Sequence, residues 1–106
     1  MDEKLIKKLE RLQSAYIKAL PEKVCAIESS WHSLLAEWSS KNIENLDRLA
    51  HNLYGTAGTY GCHAVSELAL QIEVQVRQLP LTAGADLQAA KDKIDEYLAT
   101  LKTLLD

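Results

Sequence analysis

The sequence predicts an all-α protein, an antiparallel four-helix bundle with an additional N-terminal helix. Apolar residues recur at spacings of three and four through most of the chain, which is the period of one face of an α-helix. No segment alternates apolar and polar residues at period two, so no strand is expected. Glycine and proline are scarce, with four and two residues among 106. Their positions therefore indicate where the helices end.

The N-terminal third contains two helical patterns separated by Pro21. Between residues 2 and 20 the apolar positions are Leu5, Leu9, Leu12, Tyr16 and Leu20. Pro21 suits the first turn of a new helix, where its missing N–H would have no partner. The apolar positions of the second pattern are Val24, Ile27, Trp31, Leu34 and Trp38. We expect the first helix either to be partly continuous with the second or to cover one end of the bundle.

The other three helices follow from capping and stop signals. Ser39, Ser40 and Asn42 offer capping side chains to a third helix that ends near Gly61. Its apolar positions are Ile43, Leu46, Leu49, Ala50, Leu53, Ala57 and Tyr60. A fourth helix, stopped by Pro80, contains Val65, Leu68, Ala69, Ile72, Val76 and Leu79. A fifth, after the turn-like segment 80–86, contains Leu87, Ala90, Ile94, Leu98, Leu101 and Leu105.

The third helix carries two glycines in its interior, each at a cost of about 1 kcal/mol relative to alanine. At about 100° per residue, its apolar residues centre on the side almost opposite His51, which is therefore expected to face solvent. Gly55 and Gly58 share the face of His51. We interpret this surface as one that lets another protein bring a reactive group close to the imidazole. The alternative is that the glycines allow close packing against a neighbouring helix.

Length, composition and charge narrow the classes of function. A chain of 106 residues, 47% of them hydrophobic, is enough for the core of one domain, residues 1–106. The net charge of -3 and the dispersed lysines and arginines argue against a nucleic-acid partner. The charged N-terminus and the lack of a long apolar run argue against a secretion signal and a membrane span. We expect a soluble, cytoplasmic monomer in which Cys25 and Cys62 are reduced thiols.

The segment 49–61, LAHNLYGTAGTYG, resembles the signature of histidine-containing phosphotransfer (HPt) domains. In that signature a histidine is followed by an apolar residue, usually a lysine, then glycine, small residues and a second glycine. Here His51 is followed by Leu53, Tyr54, Gly55 and Gly58. The segments 20–22 and 66–73 also resemble what such domains carry at the same distances, so the resemblance covers nearly the whole chain.

The resemblance implies a relay step between two-component signalling proteins. In this family the histidine accepts a phosphoryl group from the aspartyl phosphate of a receiver domain and passes it to the aspartate of another. His51 would be the phosphoacceptor, and the partners would be receiver domains of response regulators or hybrid sensor kinases. The receiver would supply the metal ion and the groups that neutralise developing charge. We therefore expect a phosphocarrier without a cofactor or metal site of its own, not an enzyme.

One position departs from the family pattern. The residue three after His51, commonly lysine, is Tyr54. Arg48, one turn on the other side of His51, is the natural substitute for that cation. Tyr54 could donate a hydrogen bond or form part of an apolar docking surface. Two other functions stay open: a module that docks on a receiver without being phosphorylated, and an unrelated helical bundle in which His51 is incidental.

Overall fold

The computed structural model describes residues 2–106 and contains four α-helices. Helix α1 spans Glu3–Ala36, α2 Ser40–Thr59, α3 His63–Gln78 and α4 Gly84–Leu105. A short 3-10 turn, Leu79–Leu81, links α3 to α4. No strand occurs among residues 2–106. The predicted all-α, four-helix fold is therefore confirmed.

The four helices enclose one hydrophobic core. Helices α1 and α3 each pack against both α2 and α4, and the short connections make consecutive helices antiparallel. Every helix contributes fully buried side chains, the largest of which are Trp31, Ile27, Leu34, Leu46, Ile72 and Ile94. The indole Nε1 of Trp31 also donates a 2.8 Å hydrogen bond to Asp95, which ties α1 to α4.

The additional N-terminal helix is not a separate element, because α1 runs through Pro21 without a break. Leu20 and Val24, on either side of the proline, are both buried and belong to one continuous apolar stripe. Pro21 itself is exposed, as is Ile17, whose carbonyl loses its usual donor. Because both residues are exposed, we expect water to reach that carbonyl. Burial of the stripe therefore outweighs the local cost of the proline, and of the two expected arrangements the structure has the continuous one.

The end of α1 also differs from the predicted pattern. The helix ends at Ala36, so Trp38 lies beyond it and is partly exposed rather than part of the core. The Lys91 ammonium group of α4 lies 4.8 Å from the centroid of the Trp38 ring. A cation over the ring face stabilises an indole that is only half buried.

Both ends of α2 are fixed by local hydrogen bonds. The Ser39 side chain accepts from the backbone N–H of Asn42 at 3.1 Å, as expected of an N-cap. At the other end Gly61 has a φ of 78°, in the left-handed region. The N–H of Gly61 bonds to Gly58 and the N–H of Cys62 bonds to Ala57, a Schellman motif. The predicted end of this helix near Gly61 is confirmed.

The N-terminal part of α1 extends past the rest of the bundle. Its 34 residues span about 50 Å, which is most of the longest dimension of the molecule, 56 × 24 × 20 Å. Residues 3–15 are all exposed, and we call them the α1 overhang. Its half-exposed apolar residues are Leu5, Ile6, Leu9 and Leu12. Within residues 2–106, no helix combines the length and the apolar character needed to cross a membrane.

Candidate functional site

His51 lies in the middle of α2 and faces outward, as predicted. Its side chain is 59% exposed, whereas Ala50 and Leu53 beside it in the sequence are buried in the core. The helical period therefore turns the apolar residues inward and leaves the imidazole accessible to another protein.

The imidazole is held by a buried carboxylate from α3. Nδ1 of His51 lies 3.0 Å from Oε2 and 3.2 Å from Oε1 of Glu73. The Glu73 side chain is only 7% exposed. Sequence reasoning did not identify this residue as part of the site. The available signal was a glutamate four residues after Ala69 and three before Val76, within the predicted buried stripe, where an unpaired charge is rare.

This contact distinguishes the two ring nitrogens. An ionised carboxylate can only accept hydrogen bonds, so in the neutral imidazole it is Nδ1 that carries the proton and donates to Glu73. Nε2, on the opposite side of the ring, then keeps its lone pair. The nitrogen that can act as a nucleophile is therefore the one directed away from α3.

Glu73 also forms an ion pair with an arginine on its own helix. Nη2 of Arg77, one turn later on α3, lies 2.9 Å from Oε1 of Glu73. Nε of the same guanidinium donates to Asp47 of α2 at 3.1 Å. The hydrogen bond to Asp47 and the negative charges of Asp47 and Glu73 raise the pKa of Arg77 above its ordinary value. Asp47, Arg77, Glu73 and His51 thus form one chain of polar contacts, which we call the His51 network.

The two predicted neighbours of His51 have different surroundings. The ring of Tyr54 lies 6.5 Å from the imidazole, centroid to centroid, and is partly exposed. Nη2 of Arg48 donates to Asn45 at 2.6 Å. Asn45 is one turn before Arg48, whereas His51 is one turn after it, so this guanidinium is engaged on the side away from the imidazole. The cation joined to His51 through one carboxylate is Arg77, which sequence reasoning did not identify.

The two glycines serve different purposes. A Cβ added at Gly55 would have no atom outside its own helix within 4 Å, so this position is an open surface beside His51. A Cβ at Gly58 would lie 3.3 Å from Oγ of Ser66 on α3. That hydroxyl is fixed by a 2.8 Å hydrogen bond to the Tyr54 carbonyl. The open surface at Gly55 agrees with the partner-access interpretation, whereas the contact at Gly58 favours the alternative, close packing of α3 against that edge of α2.

The other histidines lie apart from the His51 network. His32 is exposed on α1 and His63 is exposed at the start of α3. Neither takes part in an ion pair among residues 2–106. The same residues contain no group of three or more histidines, cysteines or acidic residues placed to hold a metal ion. His51 is thus the histidine that combines exposure with a buried partner.

Comparison with known proteins gives one match. A protein-family model described as the Hpt domain matches residues 5–106, which is essentially the whole chain. No curated protein and no solved structure gives a significant match. The family model spans all four helices and includes every residue of the His51 network.

Proposed function

This chain belongs to the Hpt domain family, whose members carry phosphoryl groups in two-component relays, and we propose that His51 is its phosphoacceptor. His51 would accept the group from the aspartyl phosphate of one receiver domain and pass it to the aspartate of another. The observation that supports this most is the exposed imidazole whose Nδ1 is bonded to Glu73. That contact leaves Nε2 free on the accessible side of the ring.

The transfer step follows from this arrangement. The Nε2 lone pair attacks the phosphorus of the aspartyl phosphate in line with the P–O bond. A P–N bond forms, the P–O bond breaks, and the released electron pair stays on the aspartate carboxylate. The proton on Nδ1 stays in place, so the ring acquires positive charge as the reaction proceeds. Glu73, 3.0 Å away, stabilises that charge, and transfer to the second receiver reverses the same steps.

The remaining catalytic requirements are assigned to the partner. Phosphoryl transfer depends mainly on positioning and on neutralising charge, and a receiver-bound metal ion would provide the latter. Gly55 leaves open surface next to His51, so a receiver can bring its aspartate close to Nε2. Arg48 and Tyr54 are proposed to contact the phosphoryl group or the receiver, in place of the lysine common in the family. The chain would then act as a monomeric cytoplasmic phosphocarrier and not as an enzyme.

A second candidate function is a module that docks on receivers without being phosphorylated. It is suggested by Tyr54, which stands where the family commonly has lysine. Family membership excludes the unrelated bundle. A docking module would need neither a free Nε2 nor a buried carboxylate on Nδ1, and the His51 network supplies both. Phosphate acceptance is therefore the better explanation of these residues.

The test is transfer from receiver domains of the same genome, each phosphorylated beforehand with labelled acetyl phosphate. We expect acid-labile, base-stable label on the wild-type chain and none on His51→Gln. His32→Gln and His63→Gln, which alter the other two exposed histidines, are matched controls and should label normally. Label that persists on His51→Gln would refute the assignment of the acceptor. Stable binding of receivers with no label on any variant would establish the docking module instead.

A further inference from the structure

The arginine of the His51 network is tied to two carboxylates but has no role in the transfer step described above. We propose, on the basis of the proposed function, that Arg77 is a positioning residue that keeps Nε2 of His51 free of a proton. It acts through Glu73 and does not contact the reacting atoms. The guanidinium bridges Asp47 on α2 and Glu73 on α3, and Glu73 in turn holds the imidazole.

His51 and Glu73 share a proton and must be treated as one titrating unit. In the reactive form Nδ1 carries the proton, Glu73 is a carboxylate and Nε2 is free. One more proton produces either an imidazolium beside a carboxylate or a neutral imidazole protonated at Nε2 beside a carboxylic acid. Nε2 is blocked in both cases. The population of the reactive form therefore depends on how strongly the surroundings resist that additional proton.

The surroundings without Arg77 would favour the additional proton. Glu73 is buried, and its neighbours Ile72 and Val76 on α3 are fully buried. A carboxylate removed from water in an apolar setting takes up a proton more readily. A cation 2.9 Å from Oε1 opposes this, because a nearby positive charge disfavours any further positive charge. Arg77 thereby keeps Glu73 an acceptor and Nε2 unprotonated.

Among residues 2–106, Arg77 is the only arginine or lysine that forms an ion pair with Glu73. On α2, Asp47 is negative and binds Arg77, and Tyr54 carries only a phenol. Arg48 is a cation, but its guanidinium contacts Asn45 and not Glu73. On α3, Glu73 and Arg77 are the charged groups in contact. Helices α1 and α4 form ion pairs elsewhere in the described chain, Lys7 with Glu3 and Lys102 with Glu28.

The test is a pH titration of the histidine ring nitrogens by ¹⁵N NMR on the full, unphosphorylated chain. We expect Arg77→Gln to raise the pH at which Nε2 of His51 loses its proton by about one unit, the order expected for one charge a few ångströms away. Arg77→Lys keeps the cation and should shift this pH by less than half as much. Arg11→Gln makes the same charge change on the α1 overhang and should leave it unaltered.

Transfer kinetics provide the second measurement. The pH–rate profile of Arg77→Gln should move to higher pH by the same amount, so the loss of rate below the midpoint is at most about tenfold. Its plateau at high pH should be no lower than that of wild type, because Arg77 also opposes the positive charge that the ring acquires during transfer. Arg77 is 59% exposed, so the substitution is not expected to unfold the protein, and circular dichroism checks this. A titration of folded Arg77→Gln that superimposes on wild type would overturn the inference, as would an equal shift in Arg11→Gln. Because the titration needs no phosphate, it stands or fails independently of whether His51 is phosphorylated.

Discussion

Replacement of Glu73 by glutamine is the sharpest test of how this site works. The amide has nearly the same size as the carboxylate and can still accept a hydrogen bond from Nδ1 of His51, so geometry is preserved. What it removes is a full negative charge 3.0 Å from the ring. Arg77 remains, with Asp47 as its partner. The substitution therefore isolates the electrostatic contribution of Glu73 to phosphoryl transfer.

The size of the effect follows from the hydrogen bond that changes. A hydrogen bond to a charged group contributes about 1.5–3 kcal/mol and a neutral one about 0.5–1.5 kcal/mol. In the transition state the ring becomes positive, so the wild-type contact changes from the weaker class towards the stronger, whereas the glutamine contact does not. The midpoints of these ranges differ by about 1.25 kcal/mol, which predicts transfer that is about eightfold slower.

The assay is single-turnover transfer from a phosphorylated receiver, stopped by rapid quenching. The reaction is run at a pH on the plateau of the wild-type pH–rate profile. Glu67→Gln is the matched control, because Glu67 is an exposed glutamate on the same helix and lies outside the His51 network. It should transfer at the wild-type rate. A Glu73→Gln protein within twofold of wild type would refute the reasoning, since it would mean that no charge on the ring needs to be stabilised.

Three further predictions concern the neighbours of His51 and the packing around α2. Gly55→Ala should raise the free energy of unfolding by about 1 kcal/mol while slowing transfer. Gly58→Ala should be the less stable of the two variants, because its added Cβ would lie 3.3 Å from Oγ of Ser66. Equal unfolding midpoints for the two variants would contradict this. Arg48→Ala should slow transfer without altering the circular dichroism spectrum, and an unchanged rate would exclude Arg48 from the site. Burial raises the pKa of Tyr16 above its ordinary value of 10.0. The contribution of the neutral phenol to stability is therefore present below pH 10 and is lost as the pH rises further. Urea unfolding measured as a function of pH should show this loss in wild type and not in Tyr16→Phe.

The features that the sequence predicted correctly depend on local periodicity and capping. The outward direction of His51 follows from the spacing of apolar residues within α2 alone, and the end of that helix follows from Gly61. No knowledge of the other helices is needed for either. The same holds for Ser39, whose capping bond reaches only three residues along the chain.

The features that the sequence did not predict depend on how helices pack. Glu73 is 22 residues from His51 along the chain, and the two meet only because of the rotation and register of α3 against α2. The contact between Gly58 and Ser66 was missed for the same reason, since the helical wheel placed all neighbours opposite His51 and α3 lies nearer. Pro21 left two arrangements open, and burial of the apolar stripe on both sides of it makes α1 one continuous helix.

The α1 overhang gives this single helix a gradient of local stability. From Tyr16 onwards α1 is held by the core and by the hydrogen bond between Tyr16 and Thr56. Before Tyr16, the bond from the Gln13 side chain to the Tyr60 carbonyl is the only side-chain hydrogen bond from residues 3–15 to a residue outside α1 and its caps. An isolated helical segment of this length is marginal in water. Backbone amides of the overhang should therefore exchange with deuterium by local fraying, many times faster than those after Tyr16, which open only when the whole bundle unfolds.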